Sequence, residues 1–147
     1  MTFDLNRFLH AQDSGAYAQA MAELGAGAKR SHWIWFVFPQ LAGLGSSPMA
    51  ETYGLQGAEE ARAYLQHPVL RERLLAAMNA VRRHSASLRT LMGSQIDALK
   101  LVSSMTLFAE MARRAGDDEI AVAADEILQA AARQGYPACA FTMATLG

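Results

Sequence analysis

Cysteine occurs once, at position 139, in a chain of 147 residues. One thiol excludes an intramolecular disulfide and any four-thiolate zinc centre. An excess of either charge is also missing, with 13 basic and 14 acidic residues and a formal net charge of -1. That balance gives no global attraction to nucleic acid or to an anionic membrane, so any anion site has to be local. Long apolar runs are absent. The longest strongly apolar stretch, Trp33 to Phe38, falls far short of the about 20 residues that a membrane-crossing helix needs. The first residues, M-T-F-D-L-N-R, carry Asp4 and Arg7 where a signal peptide would need an apolar run. The expectation is a cytoplasmic protein with no membrane or nucleic-acid partner. His10, His32, His67 and His84 show no metal-ligand spacing, and neither G-x-S-x-G nor a dinucleotide fingerprint occurs. The reading therefore assigns no metal and no cofactor, and it leaves the oligomeric state open.

What is present is a globular composition, 52% hydrophobic and 18% charged. It is enough for one domain over residues 1–147 with a real core. The pattern is helical nearly throughout. Asp4 can cap a short helix on which Leu5, Phe8 and Leu9 share a face, with Phe3 and Phe8 as a hydrophobic staple. A second helix starts near Asp13 or Ser14, carries Tyr17, Met21 and Leu24 as its stripe, and stops at Gly25. Ser47-Pro48 restarts the chain after a glycine-bearing loop, as does His67-Pro68 after a helix over Ala58 to Gln66. The helix after Pro68 aligns Leu70, Leu74, Met78 and Val81. Ser87 to Met92 is a short turn, and Ser94 with Asp97 has capping-box spacing. A long helix runs from there to Ala115 and ends at Gly116. Asp117, Asp118 and Glu119 favour the start of the last long helix through its dipole, and Gly135 ends it. Its stripe is Ile120, Ala124, Ile127, Leu128 and Ala131, and the apolar tail after Pro137 docks. The predicted fold is all-α, an irregular array of about six to eight helices rather than a symmetric bundle.

Lys29 to Gln40, K-R-S-H-W-I-W-F-V-F-P-Q, holds both tryptophans of the chain with a histidine and two cations. Indole is costly to bury unless its N–H finds a partner, so this segment is either the centre of the core or the wall of a site. Ser31 is a candidate N-cap and Pro39 ends the segment; helix is preferred, with a buried strand as the rival. Gly25 to Ser31 forms a loop with Lys29 and Arg30 leading into that start, a natural place for a carboxylate or phosphate on exposed N–H groups. It is not a P-loop. His32 is the acid–base candidate, against the plainer reading of a backbone-bonded anchor. Trp33 and Trp35 do not share a helical face, so at least one is core and the other is a candidate to line a pocket as a stacking surface. Asp97, Lys100 and Ser104 fall on one face of the long helix, with Ser103 adjacent. The plain alternatives are a surface ion pair and hydroxyls bonded back to the preceding turn. The S-x-x-K order of Ser-Lys catalysis is absent.

Taken together, Lys29 to Pro48, Tyr53, Ala61 to Leu70, Asp97, Lys100-Leu101 and Ser103 to Phe108 resemble a bacterial family, domain of unknown function 1810. Some of its members carry the label calpastatin, a misannotation. The resemblance implies an all-helical domain and no particular activity. Two departures are expected to matter. The family often has Arg where this chain has Val102, and the similarity fades after Phe108, with Tyr136 to Gly147 unlike the usual ending.

Two functions follow as expectations. In the first, a small anionic ligand is held by Lys29, Arg30 and Ser31, with Trp33 or Trp35 and Tyr53 as one wall and Lys100, Ser103 and Ser104 as the other; Gln40 and Asp97 complete the candidate binding residues. His32 would then be the acid–base group if the protein is an enzyme. In the second, the aromatic segment is core, the polar residues are caps, and the protein is a non-enzymatic structural or interaction module. The two blocks, Ser31 to Gln40 and Lys100 to Thr106, are predicted to meet, because each holds buried donors without enough acceptors of its own.

Overall fold

Ser94 and Gly116 bracket the longest helix, and the rest of the fold is built around it. The computed structural model describes residues 2–84 and 86–147. Its helices are α1 (Asn6–Ala11), α2 (Tyr17–Ala26), α3 (Ile34–Val37), α4 (Pro48–Tyr53), α5 (Gly57–Gln66), α6 (Pro68–Arg82), α7 (Leu88–Met92), α8 (Gln95–Ala115), α9 (Asp118–Arg133) and α10 (Ala140–Leu146). From Leu101 to Ala109 every residue of α8 is buried. A helix apolar on all sides belongs in the middle of an array, and α8 packs on α9, α7, α5, α10 and α3.

The caps follow local chemistry. Ser47, His67, Ser87, Ser94 and Asp117 each accept a backbone N–H in the first turn of the helix that follows. Gly116 closes α8 in the left-handed conformation that glycine adopts without cost. Four expectations fail. Leu5, not Asp4, stands at the N-cap of α1. The chain passes from α1 to α2 through a π turn, Gln12–Ala16, in which Gly15 has φ 102. Helix α2 runs past Gly25 and ends at Gly27, φ 85, because Gly27 and not Gly25 takes the left-handed residue of the cap. The aromatic segment is helical only over Ile34–Val37, and its N-cap position is Trp33 without a side-chain cap. Ser31 does not cap it because its hydroxyl is held by Glu23 at 2.5 Å.

Two buried polar ties position the aromatic segment. Gln12, in the π turn, donates from its amide nitrogen to the Phe36 carbonyl at 2.7 Å, which satisfies a backbone acceptor that the one-turn helix leaves free. Arg7 binds the buried Glu60 carboxylate at 2.8 Å and the Thr52 carbonyl at 2.8 Å, joining α1 to the end of α4 and to α5. Beyond the segment, Leu41 and Leu55 form an isolated parallel bridge. Gly54 lets the two backbones meet, since a Cβ there would lie 2.7 Å from the Ala42 Cα. The aromatic core is continuous: the Phe8 ring stands edge-on to Tyr64 at 5.1 Å, and Tyr64 lies 5.5 Å from Phe108. The tail docks as expected through α10, with Thr142 and Leu146 buried and the Cys139 N–H on the Thr106 hydroxyl at 3.1 Å.

Candidate functional site

The loop from Gly27 to Trp33 does hold a carboxylate, and that carboxylate is the protein's own. Glu23, on the last turns of α2, accepts the Arg30 N–H at 2.7 Å, the Ser31 N–H at 2.9 Å, the Ser31 hydroxyl and the Trp33 indole N–H at 2.9 Å. Its second oxygen also takes the Gln19 amide at 2.8 Å. Burial works to raise the Glu23 pKa, but the donors from Ser31, Arg30 and Gln19 outweigh it and hold the carboxyl far below the usual range. The anion receptor read from the sequence is therefore filled from within, which satisfies the buried indole.

Lys29 turns the other way. It is 8% exposed, and its ammonium sits 2.7 Å from Asp97 Oδ2 and 2.5 Å from the Ser31 carbonyl, over the Trp33 ring at 5.0 Å. Its backbone N–H donates to the Leu91 carbonyl at 2.7 Å. Gly93 admits this approach, since a Cβ there would meet the Lys29 carbonyl oxygen at 2.7 Å. The Ser94 hydroxyl caps the Asp97 N–H at 3.1 Å, but the Asp97 carboxylate reaches across to Lys29 and completes an ion pair between distant parts of the chain.

The two blocks meet, as the sequence reading requires. Lys100 lies over the Trp35 ring at 4.7 Å, a cation–π distance. Its ammonium is 3.9 Å from Asp97 Oδ1, so one carboxylate serves Lys29 closely and Lys100 loosely. Trp35 is half-buried, yet its indole nitrogen is buried and has no hydrogen-bond partner among the described residues. Ser104, one helical turn beyond Lys100 on the same side of α8, is fully buried, and its hydroxyl is likewise without a partner. Ser103 instead bonds back to the Leu99 carbonyl at 3.1 Å, and Thr106 to Val102 at 2.8 Å.

The remaining candidates separate. His32 is exposed, and no hydrogen bond holds it among the described residues. Arg30 is exposed and contributes its backbone N–H alone. Gln40 is buried, and its carbonyl accepts the Leu55 N–H at 2.9 Å. Tyr53 packs on Phe36 at 5.3 Å and Phe8 at 5.8 Å. Cavities of about 450, 310 and 200 Å³ open on the surface, lined by other residues, so Trp35 and Lys100 lie outside these clefts. Sequence reasoning missed Glu23 and the Arg7–Glu60 pair. Glu23 reads as an ordinary solvated charge near a helix end, and its one available signal is the run of donors from position 30 to position 33.

Among the described residues no group of three or more His, Cys, Asp or Glu side chains is placed to hold a metal ion, and no helix is long and apolar enough to cross a membrane. Residues 2–132 match the model of a family described as a protein of unknown function, DUF1810. The match runs well beyond Phe108, so the similarity continues through α9 rather than fading there. The conserved hypothetical protein Rv1873 from Mycobacterium tuberculosis, whose crystal structure is known, is 42% identical. The alignment covers 98% of this chain and 96% of that one, with a TM-score of 0.82. No protein of curated description matches. The chain belongs to the DUF1810 family, whose function is unknown.

Proposed function

We propose that this is a cytoplasmic small-molecule-binding protein whose ligand presents an anionic, acceptor-rich group to the edge formed by Trp35 and Lys100. One observation carries the reading: the Trp35 indole N–H is buried without a partner among the described residues, and its ring lies beside a lysine that no carboxylate fully neutralises. Buried donors are rarely left unpaired in a stable fold, because each costs about 1–3 kcal/mol. A carboxylate or phosphoryl group would accept from such donors and offset the Lys100 charge. In this reading Glu23, Lys29, Ser31 and Asp97 build the platform and do not touch the ligand. His32 is the nearest titratable residue in sequence to the aromatic pair, but nothing orients it as a general base, so the reading assigns binding and no reaction.

The rival, a structural or interaction module with the aromatic segment as core, accounts well for Trp33, Lys29 and Glu23. It leaves the Trp35 donor unexplained. A thermal-shift screen of phosphorylated and carboxylated metabolites on wild type and Lys100→Met separates the two, since a ligand bound only by the folded state raises the midpoint. Compounds that stabilise wild type and leave Lys100→Met unmoved support binding at this edge. A screen in which nothing shifts wild type, or in which both proteins shift alike, rejects it.

A further inference from the structure

A cleft separate from the Trp35–Lys100 edge lies against α7. The cleft of about 450 Å³ is enclosed by the C-terminal ends of α6 and α9 and by α7, and its volume is within the about 300–1,000 Å³ typical of small-molecule sites. Its floor is apolar, with Leu88, Leu91 and Ile127 all buried. Its rim is polar, and the bonds already made there show which groups remain. Arg82 is committed to Glu126 at 2.7 Å and to Asn79 at 2.8 Å. The Gln134 side-chain oxygen accepts the Leu88 N–H at 2.7 Å, leaving its amide N–H groups to donate. Arg133 has no ion pair or hydrogen bond from its guanidinium among the described residues.

A basic residue in the last turn of a helix ordinarily complements the free carbonyls there. At this helix end two of the carbonyls are served by backbone: Gln134 and Tyr136 both donate to Ala131, at 3.0 and 2.9 Å, and Gly135 donates to Ala132 at 3.1 Å. Arg133 is thus a planar fork of donors on the polar rim of a cleft with an apolar floor, with the Gln134 amide next to it in sequence and the His84 imidazole also lining the cleft. That combination suits a carboxylate on a compact apolar body, the carboxylate paired with the guanidinium and the body on Leu88, Leu91 and Ile127.

We propose that this cleft binds small apolar carboxylic acids, with Arg133 as the carboxylate-binding residue. The proposal is independent of the Trp35–Lys100 edge and shares no residue with it. The test is a titration of the ¹⁵N-labelled protein with benzoate, with hexanoate, and with benzamide as the neutral counterpart of benzoate, read at the backbone amides of Leu88, Leu91 and Ile127. Saturable shifts at these amides with either acid are expected, with benzamide weaker by about tenfold, the scale of one charge-assisted pair. Arg133→Gln, an exposed change that leaves the core intact, should weaken the acid by a similar factor and leave benzamide as it was. Ala130→Phe, which occupies the cleft from its rim, should abolish binding of all three while the circular dichroism stays helical. The proposal is overturned if neither acid produces saturable shifts at these amides, if Arg133→Gln binds the acids as wild type does, or if a folded Ala130→Phe protein still binds them.

Discussion

The protein holds two lysine–tryptophan pairs, and they are built differently. Lys29 lies 5.0 Å from the Trp33 ring and Lys100 lies 4.7 Å from the Trp35 ring. Both ammonium groups look to the same carboxylate, Asp97, at 2.7 and 3.9 Å. The first pair is closed. The Lys29 side chain is 4% exposed and the Trp33 N–H is bound by Glu23. The second is open. The Lys100 side chain is 24% exposed and the Trp35 N–H has no partner among the described residues. The same chemistry thus serves the core once and leaves an unsatisfied edge once. The lesson is that the residue types in K-R-S-H-W-I-W do not separate structure from function, whereas the partner of each indole N–H does.

The comparison breaks most visibly at the indoles. Trp33→Ala should cost about 3–5 kcal/mol, because it empties a fully buried site and removes one of the three donors to that oxygen of Glu23. Trp35→Ala should cost about 1–2 kcal/mol, since the ring is partly exposed and makes no hydrogen bond among the described residues. Urea unfolding of the two variants measures both, and equal losses would erase the distinction. The lysines come next. Lys29→Met leaves Asp97 without its close partner and should cost about 2–3 kcal/mol, less than in a fully enclosed ion pair because Asp97 keeps some water contact. Lys100→Met should stay within about 0.5 kcal/mol of wild type, and its effect should fall on ligand-dependent stabilisation instead.

Glu23 sharpens the same contrast through pH. Its folded-state pKa lies below the unfolded value of about 4.3, so its contribution is fully present above that pH and is lost as pH falls through the folded value. The midpoint of urea unfolding for wild type should therefore drop more steeply below about pH 5 than that of Glu23→Gln, which binds no proton there. Parallel acid limbs would mean that the loop does not depend on the charged form. The smallest effect is expected at Ser104→Ala. Removing a buried hydroxyl that has no partner should leave stability unchanged or raise it by up to about 1 kcal/mol. A loss above that figure would show that Ser104 is already satisfied.

Much of the fold was legible because helix ends carry local chemistry. Ser94, Gly116, Asp117 and Gly135 marked the limits of α8 and α9, and Ser47-Pro48 and His67-Pro68 marked the starts of α4 and α6. The meeting of the two blocks was legible as a deficit of acceptors. What escaped depends on distance along the chain or on backbone angle. Arg7 and Glu60 are 53 positions apart, and neither residue signals the other. Gly25 and Gly27 look alike in sequence, and only Gly27 takes a positive φ. Asp97 was read with Lys100, its neighbour on the helix, yet the closer partner is Lys29, which the Gly93 turn brings against α8. Ser31 has the residue type of an N-cap, but Glu23, eight positions earlier, claims its hydroxyl.

The most direct test of the distinction uses the two indole N–H resonances of the ¹⁵N-labelled protein, assigned by Trp35→Phe, during titration with citrate and with inorganic phosphate. The account predicts that the Trp35 indole resonance moves saturably with at least one of these anions while that of Trp33, fixed on Glu23, stays in place. It also predicts that Lys100→Met abolishes the movement. A Trp35 resonance unmoved by both anions, or a Trp33 resonance that shifts in its stead, would contradict it.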